Sequence, residues 1–393
     1  MRTISLSLVL LTALTLVSCQ ETQKSEPTET LKLQTVDQEL GFYQMNFPYT
    51  SVQLDTTRIA FFKGLPQTLC SGLVSSDGNL HGRNLDWCYD QAAHVLITNY
   101  GSEATYRNIG MITGLGDYDN LKQITPQLIF LNDGINECGL VMQCNVVPGH
   151  DIKRPAYVLP CGEGTDTLPA FLVVRHVLDN CATVDEALRF VNNRKIVTDK
   201  RLADMNYDLH WLISDSTGAC GVLEMADGQF HFLSDEHIVT NFYLTQFPDT
   251  SYISPYIEQS LSNGTTYRTT TSAAGIERQE ILSRTNPTTV DEMKQAMQQV
   301  WFSHTYDPTR YAFYRQGQDY HTAPSEQIFF RSEFAGLTIE AIEYQVNTFE
   351  KGNRNKLPDD WYTSYTAIYD RPNLTIHVSP SESGKYYQFT LQK

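Results

Sequence analysis

Cys70-Ser-Gly-Leu-Val-Ser-Ser-Asp-Gly-Asn-Leu-His-Gly-Arg-Asn-Leu-Asp-Trp87 is the stretch on which the reading of this sequence turns. Two short strand-like runs flank Asp77-Gly78, a pair favoured in two-residue hairpin loops because both central positions of a type I′ turn have positive φ. With Asp77 and Gly78 as the loop, Ser76 faces Asn79, and counting outward sets Gly72 opposite Arg83 and Cys70 opposite Leu85. Side chains alternate between faces with period two, so Cys70 and Arg83 leave the same face as diagonal neighbours. A guanidinium beside a thiol favours the thiolate, which is the nucleophilic form. A buried cysteine beside a surface arginine is the plainer reading, and geometry alone does not choose between them. Asp86 falls on the opposite face of a regular strand, so its joining the pair requires the strand to bend or to end near Asn84.

The run Gly82-Arg83-Asn84-Leu85-Asp86, led by a cysteine that opens a strand, resembles the nucleophile region of the choloylglycine hydrolase and acid ceramidase superfamily of N-terminal-nucleophile amidases. His81 before it is similar to the acid ceramidase and N-acylethanolamine acid amidase branch. The resemblance implies a cut at the Leu69-Cys70 bond, after which the freed α-amine serves as general base for its own thiol. Nucleophile and base then sit on one residue, and no separate histidine is required. By the same resemblance Asp86 orients the α-amine and Arg83 keeps the sulfur ionised.

Further segments extend the likeness toward the C-terminus. Asn136-Glu137-Cys138-Gly139-Leu140 and the strand after it resemble the family's turn and the strand supplying an active-site asparagine, here Asn145. Leu209 to Asp215, Cys220 to Met225 and Gln229 to Leu233 read as a meander with turns at Ser216-Thr217-Gly218 and Ala226-Asp227-Gly228. The family resemblance then makes Asn241, in Thr240-Asn241, the principal donor to the oxyanion. Arg278, in the segment Gly275-Ile-Glu-Arg278 that opens a helix-like stretch, matches the family's later arginine near the nucleophile. Leu168 to Asp179 reads as a helix, and Thr183-Val-Asp-Glu186 and Thr289-Val-Asp-Glu292 as capping boxes that start two more. Tyr362 to Tyr369, Leu374 to Val378 and Tyr386 to Leu391 read as strands. The fold class so implied is α+β, a four-layer αββα N-terminal-nucleophile sandwich of two antiparallel sheets flanked by helices, with one domain over residues 70–393.

The N-terminus has a different character. Met1-Arg2 precedes an uncharged apolar run from Ile4 to Val17, too short to span a bilayer, so residues 1–18 read as a secretory signal. Leu16-Val17-Ser18-Cys19 resembles a bacterial lipobox, in which Cys19 becomes the lipid-modified terminus. Residues 19–69 then serve as lipidated tether and pro-segment. These readings place the chain in a bacterial cell envelope, lipid-anchored on the periplasmic or extracellular face.

Composition narrows the partners. A net charge of -16, from 29 basic and 45 acidic residues, argues against nucleic acid. The eight cysteines show no zinc-ligand spacing and no pattern that fixes a disulfide pairing. No nucleotide, GxSxG or HExxH phrase occurs, and neither a cofactor nor a metal is implied. The expected activity is hydrolysis of linear N-acyl amides of the conjugated bile salt, penicillin V or N-acyl lipid type, through an acyl-thioester. Transfer of the acyl group to an amine, and non-catalytic binding of amphipathic ligands, are the alternatives. The partners so implied are a small N-acyl amide and, through Cys19, a membrane; assembly into a homo-oligomer is left open.

Overall fold

The computed structural model describes residues 33–47, 69–87, 94–99, 105–112, 131–148, 160–198, 207–226, 228–246, 257–260, 266–269, 271–301, 313–315, 318–319 and 362–391. The signal segment 1–18 and Cys19 lie outside these residues, and so does Cys88. Strands β1 (Leu33–Asp37) and β2 (Phe42–Phe47) precede the hairpin, whose arms are β3 (Leu69–Val74) and β4 (Leu80–Trp87). Its register sets Cys70 opposite Leu85 and Gly72 opposite Arg83, as the alternation requires. The turn differs from the expected two-residue loop. Gly78 N bonds Ser75 O, and Gly78 alone has positive φ, +72°, whereas Asp77 does not. The Asp77 carboxylate accepts from Asn79 N at 3.0 Å, an Asx-type closure that widens the loop while preserving the count of residues across it.

A nine-stranded sheet follows from β5 (His94–Asn99), β6 (Asn108–Ile112), β7 (Asp133–Asn136) and β8 (Val141–Pro148). A short parallel pair, β9 (Thr167–Pro169) and β10 (Lys195–Val197), brackets helices α1 (Val173–Asn180) and α2 (Val184–Asn192). The meander is β11 (Tyr207–Ser214), β12 (Cys220–Ala226) and β13 (Gln229–Ser234), with Gly218 and Gly228 supplying left-handed turn positions. Strand order is β1-β2-β5-β6-β7-β8-β11-β12-β13. The expectation of purely antiparallel sheets is not met at one place. β2 and β5 pair in parallel, because the chain between them leaves to build the β3–β4 hairpin of the other sheet, and parallel neighbours need such a crossover. Two strands of the large sheet, β1 and β2, thus come from the stretch read as tether and pro-segment.

The smaller sheet takes in β14 (Ile238–Val239) as its edge. After it the chain forms a separate four-stranded sheet, β15 (Ile257–Ser260), β16 (Thr266–Thr269), β17 (Phe313–Arg315) and β18 (Gln318–Asp319). Strands β19 (Tyr362–Asp370), β20 (Thr375–Pro380) and β21 (Tyr387–Thr390) complete the smaller sheet in the order β14-β3-β4-β19-β20-β21. Helices α3 (Thr271–Ser283) and α4 (Val290–Gln299) pack on its outer face.

Three apolar layers show the architecture. Leu140, Met142, Trp211, Ile213 and Leu223 of the large sheet pack against Val173, Val177 and Leu178 of α1. Leu96, Met111, Ile135 and Val141 meet Leu85, Ala367, Ile376 and Val378 between the sheets. Leu73, Leu80 and Ile368 meet Leu282, Met293 and Met297 on the far side. The fold is therefore helix, sheet, sheet, helix: the αββα sandwich implied by the sequence. Leu31–Lys393 makes up one compact unit, which takes in chain on both sides of Cys70.

Helix boundaries depart from the sequence reading where proline and tertiary contacts intervene. The helix read from Leu168 starts at Val173, because Leu168 precedes Pro169 and is held extended, and a 3₁₀ turn at Ala170–Leu172 comes first. Thr289 and Glu292 form the full capping box. At Thr183 the Glu186 carboxylate instead takes Ala182 N at 2.7 Å, so only half of that box forms. Among the described residues no helix is long and apolar enough to cross a membrane.

Candidate functional site

Cys70 begins in the layer between the sheets, with 1% of its surface exposed. Its backbone N donates to Asn241 Oδ1 at 2.6 Å, and its carbonyl accepts from Arg278 Nη1 at 2.7 Å. Arg278 also donates to Ser71 Oγ and to Asn241 Oδ1, each at 2.7 Å, and lies 3.4 Å from Asp86 Oδ2. One guanidinium therefore closes round the backbone of the nucleophile candidate. Arg278 sits in the middle of α3 and is buried, rather than in a first helical turn, since α3 begins at Thr271.

Asp86 joins the cluster without the predicted bend in its strand. β4 continues through Trp87, and the irregularity falls in the partner β19 between Thr363 and Tyr365. Ser71 and Asp86 face the helix layer, and Arg278 comes down from that layer to meet them. The Cys70 side chain and Arg83 occupy the opposite face. Asp86 accepts from Thr363 Oγ1 at 2.7 Å, and burial, opposed by Arg278 and that hydroxyl, pushes its carboxyl up to about 7.

On the inter-sheet face Arg83 Nε donates to Asp133 Oδ2 at 3.2 Å and Nη1 to Asn145 Oδ1 at 2.6 Å. The hydroxyls of Tyr365 and Tyr369 both donate to Asp133, so this wholly buried carboxylate carries three partners. Gln143 Nε2 also donates to Asn145 Oδ1, at 2.8 Å, while Gln143 Oε1 accepts from His81 Nε2 at 2.9 Å. Gly72 makes room for this: a Cβ there would lie 2.4 Å from Gln143 Nε2. Burial pushes His81 down to about 3, so it is a neutral ring that donates to Gln143 and accepts from Ser214 Oγ.

The structure corrects the electrostatic expectation for the sulfur. Burial raises the Cys70 thiol above its ordinary value, and although Arg83 and Arg278 pull the other way, Asp86 adds to the rise. In the uncut chain Arg83 by itself does not hold the sulfur ionised. The amide donors are engaged as well: Asn241 Nδ2 bonds Val146 O at 2.6 Å and Asn145 Nδ2 bonds Thr240 O at 3.3 Å.

All six predicted side chains, Cys70, Arg83, Asp86, Asn145, Asn241 and Arg278, thus come together, in two groups on the two faces of β3–β4. Of Leu69 only the backbone is described, paired with Asp86. Sequence reasoning missed Asp133, Gln143, Ser71, Thr363 and the tyrosine pair. The spacing of Tyr365 and Tyr369 puts both on one face of a strand, a signal that was present; nothing local marked Asp133. The six described cysteines form no disulfide with one another, and no group of metal-ligating side chains occurs among the described residues.

The family described as linear amide C-N hydrolases, choloylglycine hydrolase family, matches residues 70–253. A bile salt hydrolase/transferase of Bifidobacterium longum is 27% identical over 182 residues, covering 44% of this chain and 55% of that protein. One of Clostridium perfringens is 28% identical over 192 residues, covering 44% and 53%. The chain thus spans about half the length of the curated relatives it matches. The solved penicillin V acylase of Agrobacterium tumefaciens aligns at 14% identity with a TM-score of 0.42, covering 82% of this chain and 86% of that one.

Proposed function

We propose that this chain, which belongs to the choloylglycine hydrolase superfamily of linear amide C–N hydrolases, is an amidase whose nucleophile is Cys70 after a cut at Leu69-Cys70. The observation that carries this reading is the convergence of Asn241, Arg278 and, through Arg278, Asp86 on the backbone of Cys70, the residue that would become the terminus. Cutting the bond turns the amide that now donates to Asn241 into an amine. That amine takes the thiol proton, with Asp86 stabilising the ammonium. The thiolate then has a partner charge on its own residue as well as Arg83, which offsets the burial that keeps it neutral in the uncut chain.

The thiolate attacks the acyl carbon of an N-acyl amide. Asn241, assisted by Asn145, releases its carbonyl partner and donates to the oxyanion, where the negative charge exists only after attack. The ammonium returns its proton to the departing amine, and water hydrolyses the thioester. The relatives named as bile salt hydrolase/transferases favour conjugated bile salts and related N-acyl amides as substrates, and also support acyl transfer to an amine as a second reaction of the same thioester.

The test is intact-mass and N-terminal analysis of the purified protein beside assays on a panel of conjugated bile salts, phenoxyacyl amides and N-acylethanolamines. A chain that begins at Cys70 and releases amine from one of these supports the reading. An uncut chain with an alkylation-inert Cys70 sinks it. Added amine acceptor distinguishes hydrolysis from transfer by the product formed.

Secretion and lipid anchoring through Cys19 belong to the same proposal, on the strength of the apolar run and the Leu16-Val17-Ser18-Cys19 phrase. Fatty-acid labelling that persists in a Cys19→Ser variant removes this part.

A further inference from the structure

His210 stands in register between Asn145 on β8 and Glu224 on β12, and all three are fully buried. Its Nδ1 lies 3.1 Å from Glu224 Oε1 and its Nε2 2.8 Å from Thr240 O. Both partners are acceptors. A neutral imidazole has a single N–H, so keeping both contacts requires the doubly protonated ring. His81 shows the contrast: it meets one donor and one acceptor and needs no charge. The Glu224 carboxylate is equally committed. Burial tends to raise it, but His210 and the amides of Thr245 and Leu244 prevail and hold it below its ordinary value. Those amides donate at 2.8 Å from Leu244 and 3.0 Å from Thr245.

The pair therefore grips both ends of the segment that carries Asn241. Thr240 is held at one end through its carbonyl, and Leu244 and Thr245 at the other through their amides. The Thr240 carbonyl is also where Asn145 Nδ2 rests, and Thr240 Oγ1 donates to Gly275 O on α3, one turn ahead of Arg278. A charge pair kept wholly out of water is costly unless every partner is in place, and here the partners lead to Asn145, Asn241 and Arg278.

We infer that the His210–Glu224 ion pair is the positioning device for the oxyanion donor, fixing Asn241 against Cys70 through the 240–245 segment, in a role that rests on the amidase reading above. His210 and Glu224 are positioning residues that act through this segment rather than on the substrate.

The experiment uses the processed protein and three variants: His210→Gln, His210→Asn and Glu224→Gln. A glutamine places its amide nitrogen near the position of Nε2 and keeps the donor to Thr240, whereas an asparagine places it near Nδ1 and loses that donor. For His210→Asn and Glu224→Gln the expected result is a kcat lower by about 10- to 100-fold, with KM within about threefold of wild type. His210→Gln, which keeps the donor to Thr240 but gives up the bond to Glu224, is expected to fall between wild type and His210→Asn. Folded variants with unchanged kcat, or a His210→Gln as impaired as His210→Asn, overturn the inference. A wild-type protein that releases amine from no N-acyl amide defeats the amidase reading instead. The positioning claim is then decided by crystal structures of wild type and Glu224→Gln: an Asn241 to Cys70 separation wider by about 1 Å upholds it, and an unchanged one overturns it.

Discussion

The two interiors of the large sheet differ in kind. Toward α1 and α2 its residues Met142, Trp211, Ile213, Leu223 and Met225 meet Val173, Val177 and Leu178 in an apolar layer of aliphatic and aromatic side chains. Toward the smaller sheet the same strands present Gln143, Asn145, His210 and Glu224, and the facing strands answer with Arg83, Tyr365 and Tyr369, while Asp86 and Arg278 meet on the helix-facing side of β3–β4, all of them buried. Apolar packing stabilises in proportion to area removed from water and tolerates small rearrangements. A buried polar network has no such latitude, because each lost partner leaves a group paying its full desolvation cost. One layer is apolar throughout, and the other sets the polar network on which the proposed chemistry rests beside an apolar part of its own.

The contrast can be broken most sharply at Cys70. Cys70→Ala is expected to abolish amide cleavage, by on the order of 10⁴-fold or more, and to leave the Leu69-Cys70 bond intact if the cut is autocatalytic, while thermal unfolding changes little. Residual turnover near wild type in a pure sample would remove Cys70 from the mechanism. Asn241→Ala comes next, with a kcat lower by about 100- to 1,000-fold, or about 2.7 to 4 kcal/mol, and a nearly constant KM. A rise in KM alone would make Asn241 a binding residue.

Leu178→Ala probes the other layer. Its expected cost is about 3 kcal/mol in denaturant unfolding with kcat of the folded fraction preserved. Loss of kcat there would blur the division between the layers.

The pH dependence of stability sharpens it further. Asp86 has its folded value raised from 3.8 to about 7, so the folded chain holds a proton that the unfolded chain has released. Its contribution is fully present below about pH 4 and is lost as pH rises through about 7. In the uncut Cys70→Ala chain, unfolding free energy should fall over that window, and Asp86→Asn should flatten the fall. A slope that Asp86→Asn leaves unchanged would assign it to another group. The smallest effect is at the surface: Thr289→Ala removes the α4 cap for about 1 kcal/mol with no change in rate.

Legibility followed the same division. The hairpin register was readable because period-two alternation and a turn at Asp77-Gly78 fix it locally, and the count survived even though the turn itself closes differently. Both capped helices were readable for the same reason. The bend expected of the strand at Asp86 is absent, because Arg278 approaches from the helix side to connect the two faces and nothing in the segment announces it. Arg278 read as a first-turn residue because α3 begins before the Gly275 that marked its start. Asp133 had no local signal, since it matters through partners from β4 and β19.

By itself, then, the sequence determined the hairpin and its pairing, the meander, the two capped helices, the C-terminal strands and the residues that match the family pattern, since alternation, caps and turns are short-range. The tertiary structure alone decided which groups carry charge, because desolvation of Cys70 and Asp86 and the opposing pull of Arg83 and Arg278 exist only once two sheets and α3 have closed round them. It alone also placed Asn145, His210 and Glu224 side by side across three strands, where neighbours distant in the chain come into register.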